Sequence, residues 1–459
     1  MSSFLLTAID RVDRSSAGGR SAFSVDESSR EDVTMDILMS TPGIVLYCYE
    51  LEPDAAAATT KLWFLPHETA DNPLASAPFL DRAIRKHAAL GERAFCVGLG
   101  IATAWLASSG ADAAALPLVV AWNTGRCGST LVHRIFSAAG VVSLSEPFWL
   151  DQLGHAAGGA ARALTPEATQ ALLCACVLLD VRIARSRCGA ADASIVSLNP
   201  KSFAHSLLRD MEAAFPLTRH LFLYRECASV CESFVSIFYR GACLANPDLS
   251  RDEFRAAGFG PPPFNAEVDF CAAELIDCGA VIPSDVSVGR MAASWVDGVV
   301  TWLRFADDLP YAFPQRHATM RMAELVCKDD LAQRVANVRA LLEFAGVLAV
   351  PSAADDVADL RAGIDAFVAA PPERSTLVLR AALQCFGTHS QAGSAMEHSS
   401  TSATTVVGTA AKAERPPTYM TDADRGEVKA LLSGVAVLTE RGVCVDGAGA
   451  YIGGSIGLR

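Results

Sequence analysis

Residues 116–130 read LPLVVAWNTGRCGST, and residues 131–140 continue as LVHRIFSAAG. An apolar run that empties into a short glycine-bearing loop and then opens a helix predicts strand, loop and helix in succession. Glycine tolerates positive φ and lets a ligand approach the main chain, while the helix N-terminus adds the positive end of its dipole. The stretch therefore predicts an anion cradle, with backbone N–H groups converging on a phosphorylated ligand.

What the loop lacks narrows the ligand. A triphosphatase P-loop places a Lys directly after its second Gly and a hydroxyl on magnesium. From Gly125 this loop reads Gly-Arg-Cys-Gly-Ser-Thr, shorter and without the Lys, and Arg126 offers a planar fork suited to phosphate oxygens instead. In this form it resembles the 5′-phosphosulfate loop of the sulfotransferase superfamily. That resemblance implies the donor 3′-phosphoadenosine 5′-phosphosulfate (PAPS), bound by Gly125, Arg126, Cys127, Gly128, Ser129 and Thr130.

Further segments fit the same family in order. His220–Tyr224 predicts a buried strand, followed by Arg225 and, on the next helix, Ser233; FPLTRHLFLYRECASVCESF looks like the superfamily's 3′-phosphate motif. Residues at strand carboxyl ends are where an open α/β sheet takes its ligands. Ser194–Leu198 predicts a strand ending in Asn199-Pro200-Lys201, resembling the family strand that ends in a catalytic lysine. His317–Leu325 resembles the family's late strand, and LAQRVANVRALLEFAGV predicts an amphipathic helix stopped by Gly346. The fold class expected is α/β: three layers, a mostly parallel sheet flanked by helices in the manner of P-loop nucleotide hydrolases, with a small N-terminal β-containing module.

The chain also departs from the family pattern. Leu131 replaces the aromatic that follows the loop hydroxyls in cytosolic members, and Cys227 and Ala228 replace the usual Pro and Arg of the second motif. Arg441-Gly-Val-Cys-Val-Asp-Gly is at best a remnant of the C-terminal phosphate segment. These losses resemble the carbohydrate and tyrosylprotein branches more than the cytosolic one.

Sulfuryl transfer is mostly positioning plus neutralisation of charge on the transferring group and leaving oxygen. The resemblance assigns Arg126, Gly128, Ser129 and Thr130 to the 5′-phosphosulfate, Arg225 and Ser233 to the 3′-phosphate, and Lys201 to the bridging oxygen; no metal is expected. An acceptor hydroxyl or amine also needs a general base. Glu146, in VVSLSEPFWL, is the first candidate, because the turn into Pro147 returns the chain to the sheet's carboxyl edge, and tyrosylprotein-type relatives place a catalytic Glu at much this spacing. His205, four residues past Lys201, is the second. His133 on the loop helix reads as packing or solvated surface. The function implied is in-line sulfuryl transfer from PAPS to an unidentified acceptor. The alternatives are an ATP-dependent kinase-like P-loop enzyme and a member that binds a phosphonucleotide without turnover.

Composition bears on partners. The chain has 459 residues, and 38 basic against 51 acidic side chains give a net charge of −13. That balance disfavours nucleic acid, anionic membrane and polyanionic glycan partners, and points to a small-molecule or peptidyl acceptor, neutral or cationic. The 14 cysteines form no Cys-x-x-Cys and lie in apolar surroundings, so neither a zinc site nor a disulfide framework is expected. Cys127 is the exception to watch: at a helix N-terminus beside Arg126 its thiol pKa is expected to fall, which would make it reactive, although a small loop filler is the stronger reading. No apolar run reaches the length of a membrane span, the longest being Ala94–Trp105, and there is no Asn-x-Ser/Thr sequon. A cytoplasmic location is expected, with organellar import as the alternative, although Asp10 and Asp13 suit a transit peptide poorly.

Along the chain, residues 1–32 read as a mobile N-terminus and 33–110 as an accessory module, a β-hairpin of Gly43–Leu51 and Lys61–Pro66 plus helices. Residues 111–386 form the sulfotransferase-like core, with an acceptor-binding lid inserted at about 240–289. Gly387 to Pro417 is a Ser/Thr/Ala/Gly tract expected to be a disordered linker. Residues 418–459 form a C-terminal helix and tail. Oligomeric state is not legible.

Overall fold

A computed structural model of the chain describes residues 1–9, 19–51, 60–67, 83–85, 88–157, 164–187, 195–201, 204–246, 248–250, 253, 288–308, 316–327, 330–348, 378–379, 381–386, 420, 422–434, 443–446 and 449–452. Among the described residues twelve strands, β1 to β12 in chain order, are Ser2–Ile9, Phe23–Asp32, Ile44–Glu50, Lys61–Pro66, Arg93–Gly98, Leu118–Asn123, Val142–Ser145, Val196–Asn199, Arg219–Tyr224, His317–Arg321, Val443–Asp446 and Gly449–Ile452. The helices, α1 to α11, are Met35–Ser40, Leu99–Ser108, Ser129–Ala138, Phe148–Ala157, Pro166–Arg187, Leu208–Ala214, Cys227–Ala245, Val288–Asp308, Met322–Val326, Leu331–Phe344 and Asp422–Gly434.

The larger unit is built on a five-stranded sheet in the order β10-β9-β6-β8-β7, every neighbouring pair parallel. Parallel strands need both faces covered, and the residues of β6 show how this is met. Leu118, Val120 and Trp122 face one apolar core, and Val119 and Ala121 face the other. The same alternation divides Phe222 and Tyr224 from Leu221 and Leu223 on β9. On the second face lie Leu131, Val132, Ile135 and Phe136 of α3 with Val338, Leu341 and Leu342 of α10. The first face receives α4, α5, α6, α7 and α8. An α/β protein with a parallel sheet and helices is thus observed.

The N-terminal region differs from the expectation. β1 and β2 pair antiparallel, and with β3, β4 and β5 they form a second five-stranded sheet in the order β2-β1-β5-β4-β3. Residues 1–32 are therefore not a mobile arm: Phe4, Leu6 and Phe23 are buried in the core, and only 10–18 of this segment fall outside the described residues. The expected pairing of β3 with β4 is present, but as two strands of a larger sheet that β5 joins to β1. Arg93 of β5 cross-links this sheet, donating to Ser3 Oγ at 3.0 Å and pairing with Glu31.

This sheet docks on α4. The Tyr47 and Phe148 rings stack at 5.4 Å, and Gln152 exchanges two hydrogen bonds with the backbone of Tyr49, accepting at 3.1 Å and donating at 3.3 Å. At residue 240, where the lid is expected to start, α7 still continues, to Ala245; most of 247–287 and all of the 387–417 linker lie outside the described residues. Near the C-terminus, α11 follows as expected, and the tail adds a β11–β12 hairpin.

Candidate functional site

Because the five strands are parallel, their carboxyl ends share one edge. Across the sheet that edge carries Arg321 from β10, Arg225 just after β9, the 124–128 loop after β6, Lys201 just after β8 and Glu146 just after β7. Every residue nominated from the sequence except His205 belongs to this edge or to the first two turns of the helices that leave it.

Three residues of the loop adopt left-handed backbone: Gly125 at φ 77°, Arg126 at φ 50° and Gly128 at φ 89°. Asn123, the last residue of β6, shapes the turn, its Oδ1 accepting from the Gly125 N–H at 3.0 Å and its Nδ2 donating to the Pro200 carbonyl at 2.6 Å. The loop after β6 and the strand end that carries Lys201 are thereby tied together. The first turn of α3, with Ser129 and Thr130, leaves N–H groups without intrahelical acceptors, as any helix start does.

Arg126 is exposed and its side chain reaches the other motif. Its Nε donates to Ser233 Oγ on α7 at 3.0 Å. Arg225 is half-buried, and burial holds its pKa below the usual arginine value. Among the described residues its guanidinium makes no hydrogen bond or ion pair, while its carbonyl accepts from Trp295 Nε1 at 2.8 Å. Glu226 is near enough to favour its charge but makes no contact with the guanidinium, and a half-buried cation whose donors are not taken up is a natural receptor for an anion. Arg321 is differently placed, since it pairs with Glu226.

Glu146 is half-buried and has φ 54°, and its N–H donates to the Asn199 carbonyl at 2.8 Å. Among the described residues the non-glycine positions with left-handed φ are Arg126, Glu146 and Cys327, so two of the three flank this edge. Left-handed backbone at a residue with a Cβ costs about 1–2 kcal/mol and is retained where the surroundings over-determine it. Lys201 Nζ lies 2.6 Å from Asp151 Oδ2, and the Asp151 side chain is 3% exposed against 32% for Lys201. Asp151 was not singled out from the sequence; an acidic residue in the first turn of a helix gives no pattern beyond ordinary dipole complementation.

Two placements correct the sequence reading, and a third, that of His133, agrees with its reading as a packing residue. Cys127 is fully buried with Leu131 and Val132 under the loop, and burial pushes its thiol up to about 11 although Thr124 and Ser129 hydrogen-bond to it. The helix N-terminus does not lower this thiol, because the side chain points into the core. His205 belongs to the interior: it lies beside Trp122 and Phe222, packs over Gly298 of α8, and burial pushes its pKa down to about 4. A ring so enclosed is poorly placed to meet an acceptor at the edge. His133 is buried too, sharing a 2.8 Å hydrogen bond with Ser143 Oγ on β7.

No family model matches the chain, and no curated protein matches it. Among solved structures it is similar to the sulfotransferase domain from the curacin biosynthetic pathway, at 18% identity and a TM-score of 0.26, over 51% of this chain and 75% of that one. A likeness of that size carries no argument, so the functional reading stands on the edge geometry. Among the described residues no helix is long and apolar enough to cross a membrane.

Proposed function

We propose that the chain is a PAPS-dependent sulfotransferase of P-loop-like architecture, acting on a hydroxyl or amine acceptor. The observation that supports this best is the order of groups along the carboxyl edge. From β9 through β6 and β8 to β7 come Arg225, the loop, Lys201 and Glu146. Neighbouring strands lie about 4.8 Å apart, so the row spans roughly 14 Å, the scale of a bisphosphorylated nucleoside with an acceptor beyond it.

The residues present suit such a donor. Arg225 would hold the 3′-phosphate, and the backbone of Gly125–Thr130 would receive the 5′-phosphosulfate. Arg126, bonded to Ser233, stands between the two motifs, so this reading gives it a bridging position instead of the 5′ end alone. When bound, the donor supplies the sulfuryl group and a stable phosphate leaving group. Lys201 would neutralise charge on the bridging oxygen, and Glu146 would take the proton from the acceptor in the in-line approach. The kinase reading lacks its lysine, because Ser129 follows Gly128. A binding-only role would leave the Lys201–Glu146 end of the row without purpose.

Turnover of sulfur-35-labelled PAPS against a panel of phenols and amines tests the proposal. Acceptor-dependent transfer is expected, falling about 100-fold or more in Lys201→Ala and in Glu146→Gln. Undiminished transfer in Lys201→Ala would overturn the catalytic assignment.

A further inference from the structure

The N-terminal sheet shares no strand with the parallel sheet, yet it grips α4, and α4 carries the partner of Lys201. We propose that Asp151 is a positioning residue: its buried carboxylate holds the Lys201 ammonium in place at the strand edge, and the N-terminal sheet fixes Asp151 through α4. The functional meaning of this rests on the donor-site reading above; the pairing itself does not.

Lysine has a flexible four-carbon stem, so a strand-end lysine left to itself samples many positions. Both ends of Lys201 are restrained. The preceding residue is Pro200, with fixed φ, and its carbonyl accepts from Asn123 Nδ2 at 2.6 Å, which anchors the backbone to the base of the loop. The ammonium is anchored by Asp151 Oδ2 at 2.6 Å. Because the carboxylate is almost wholly withdrawn from solvent, removing its cation is strongly unfavourable.

Asp151 is itself immobilised. It lies in the first turn of α4, its N–H donating to the Pro147 carbonyl at 3.4 Å, where the helix dipole favours a carboxylate. Next to it Gln152 is bonded to the backbone of Tyr49, Trp149 Nε1 donates to Asp180 at 2.6 Å, and the Gly154 carbonyl accepts from Ser206 Oγ at 2.9 Å. The helix is therefore held by the N-terminal sheet, by α5 and by the turn after Lys201. His155, one turn beyond Asp151, offers no competing cation at neutral pH, since burial first and the Lys201 charge second push its pKa down to about 4.

The test reads Lys201 directly. Full-length protein is acetylated at pH 8 with limiting acetic anhydride, and modification of Lys201 is followed by peptide mass spectrometry in wild type, Asp151→Asn and Asp151→Glu. Losing the carboxylate lowers the lysine pKa and frees the stem, so Lys201 labelling is expected to rise about 10-fold in Asp151→Asn, with Asp151→Glu restoring part of the protection. Equal labelling in wild type and Asp151→Asn overturns the proposal. If Asp151→Asn does not fold, the thermal midpoints of Lys201→Met and of the double variant Asp151→Asn/Lys201→Met decide instead. Recovery in the double variant supports pairing, and no recovery refutes it. With PAPS and p-nitrophenol as probe acceptor, kcat in Asp151→Asn is expected to fall about 10- to 100-fold at unchanged KM for PAPS. Altered labelling together with wild-type protein that never consumes PAPS supports the pairing and refutes the donor reading, so the two failures are distinct.

Discussion

Arg126 and Ser233 stand 107 residues apart in the chain, and the Arg126 Nε donates to the Ser233 Oγ at 3.0 Å. One belongs to the loop after β6 and the other to the helix after β9, so the bond joins the two segments whose sequences pointed to phosphate. It lies in an exposed setting, where a hydrogen bond contributes at most about 1 kcal/mol to stability. Ser233→Ala and Arg126→Ala are therefore expected to leave the thermal midpoint within a few degrees of wild type. Arg126→Ala is expected to weaken binding of 3′-phosphoadenosine 5′-phosphate about 10-fold or more, and Arg126→Lys to recover little, because the planar fork is lost. Calorimetry and a thermal scan on the same samples check both statements; a large stability loss with unchanged affinity would make the bond structural.

Gly128 is a second point where the loop is specified by backbone geometry. It has φ 89°, and a Cβ there would stand 3.3 Å from Cγ of Met322 on α9. Gly128→Ala is expected to cost about 1–2 kcal/mol, as left-handed strain at a residue with a Cβ, and to weaken bisphosphate binding with it. Chemical denaturation and calorimetry measure the two effects; an alanine variant as stable and as tight-binding as wild type would remove the loop's backbone from the site.

Acid should destabilise the fold over a defined window. Burial is the leading cause that holds His155, His205 and His317 down at about 4, and it lowers His220 as well. Their folded pKa values lie below the ordinary value of 6.5, so the unfolded chain takes up protons first as the pH falls. The stability they contribute is complete above about pH 6.5 and is lost progressively towards pH 4. The enclosed His205 alone accounts for up to about 3 kcal/mol of that loss. Thermal midpoints between pH 7.5 and 4.5 check it, and a flat profile would contradict the burial of these rings.

Much of the parallel sheet was legible because each of its strands is a short apolar run bounded by a turn signal. Leu118–Asn123 and Arg219–Tyr224 read as buried strands, and Arg225 and Ser233 followed at strand-end and helix positions. What escaped was non-local. β1 looks like part of a Ser- and Arg-containing arm until β5, with Arg93 lying 90 residues beyond Ser3, supplies its partner edge. His205 was misplaced because spacing from Lys201 says nothing of Trp122, Phe222 and Gly298, which enclose it. The stronger reading of Cys127 as a small loop filler agrees with its burial, but the expected fall in its thiol pKa does not hold: the helix start lowers a thiol pKa only where solvent or charge reaches the sulfur, and here the sulfur faces the core. Asp151 is invisible in sequence because its importance lies wholly in the strand end it meets.

The donor site is tested most directly by calorimetric titration of the purified chain with 3′-phosphoadenosine 5′-phosphate, with ATP·Mg as control, on wild type and Arg225→Ala. Micromolar binding of the bisphosphate that Arg225→Ala abolishes, without response to ATP·Mg, is the expected result. Binding of ATP·Mg alone, or bisphosphate binding indifferent to Arg225, would contradict the assignment of this edge to PAPS.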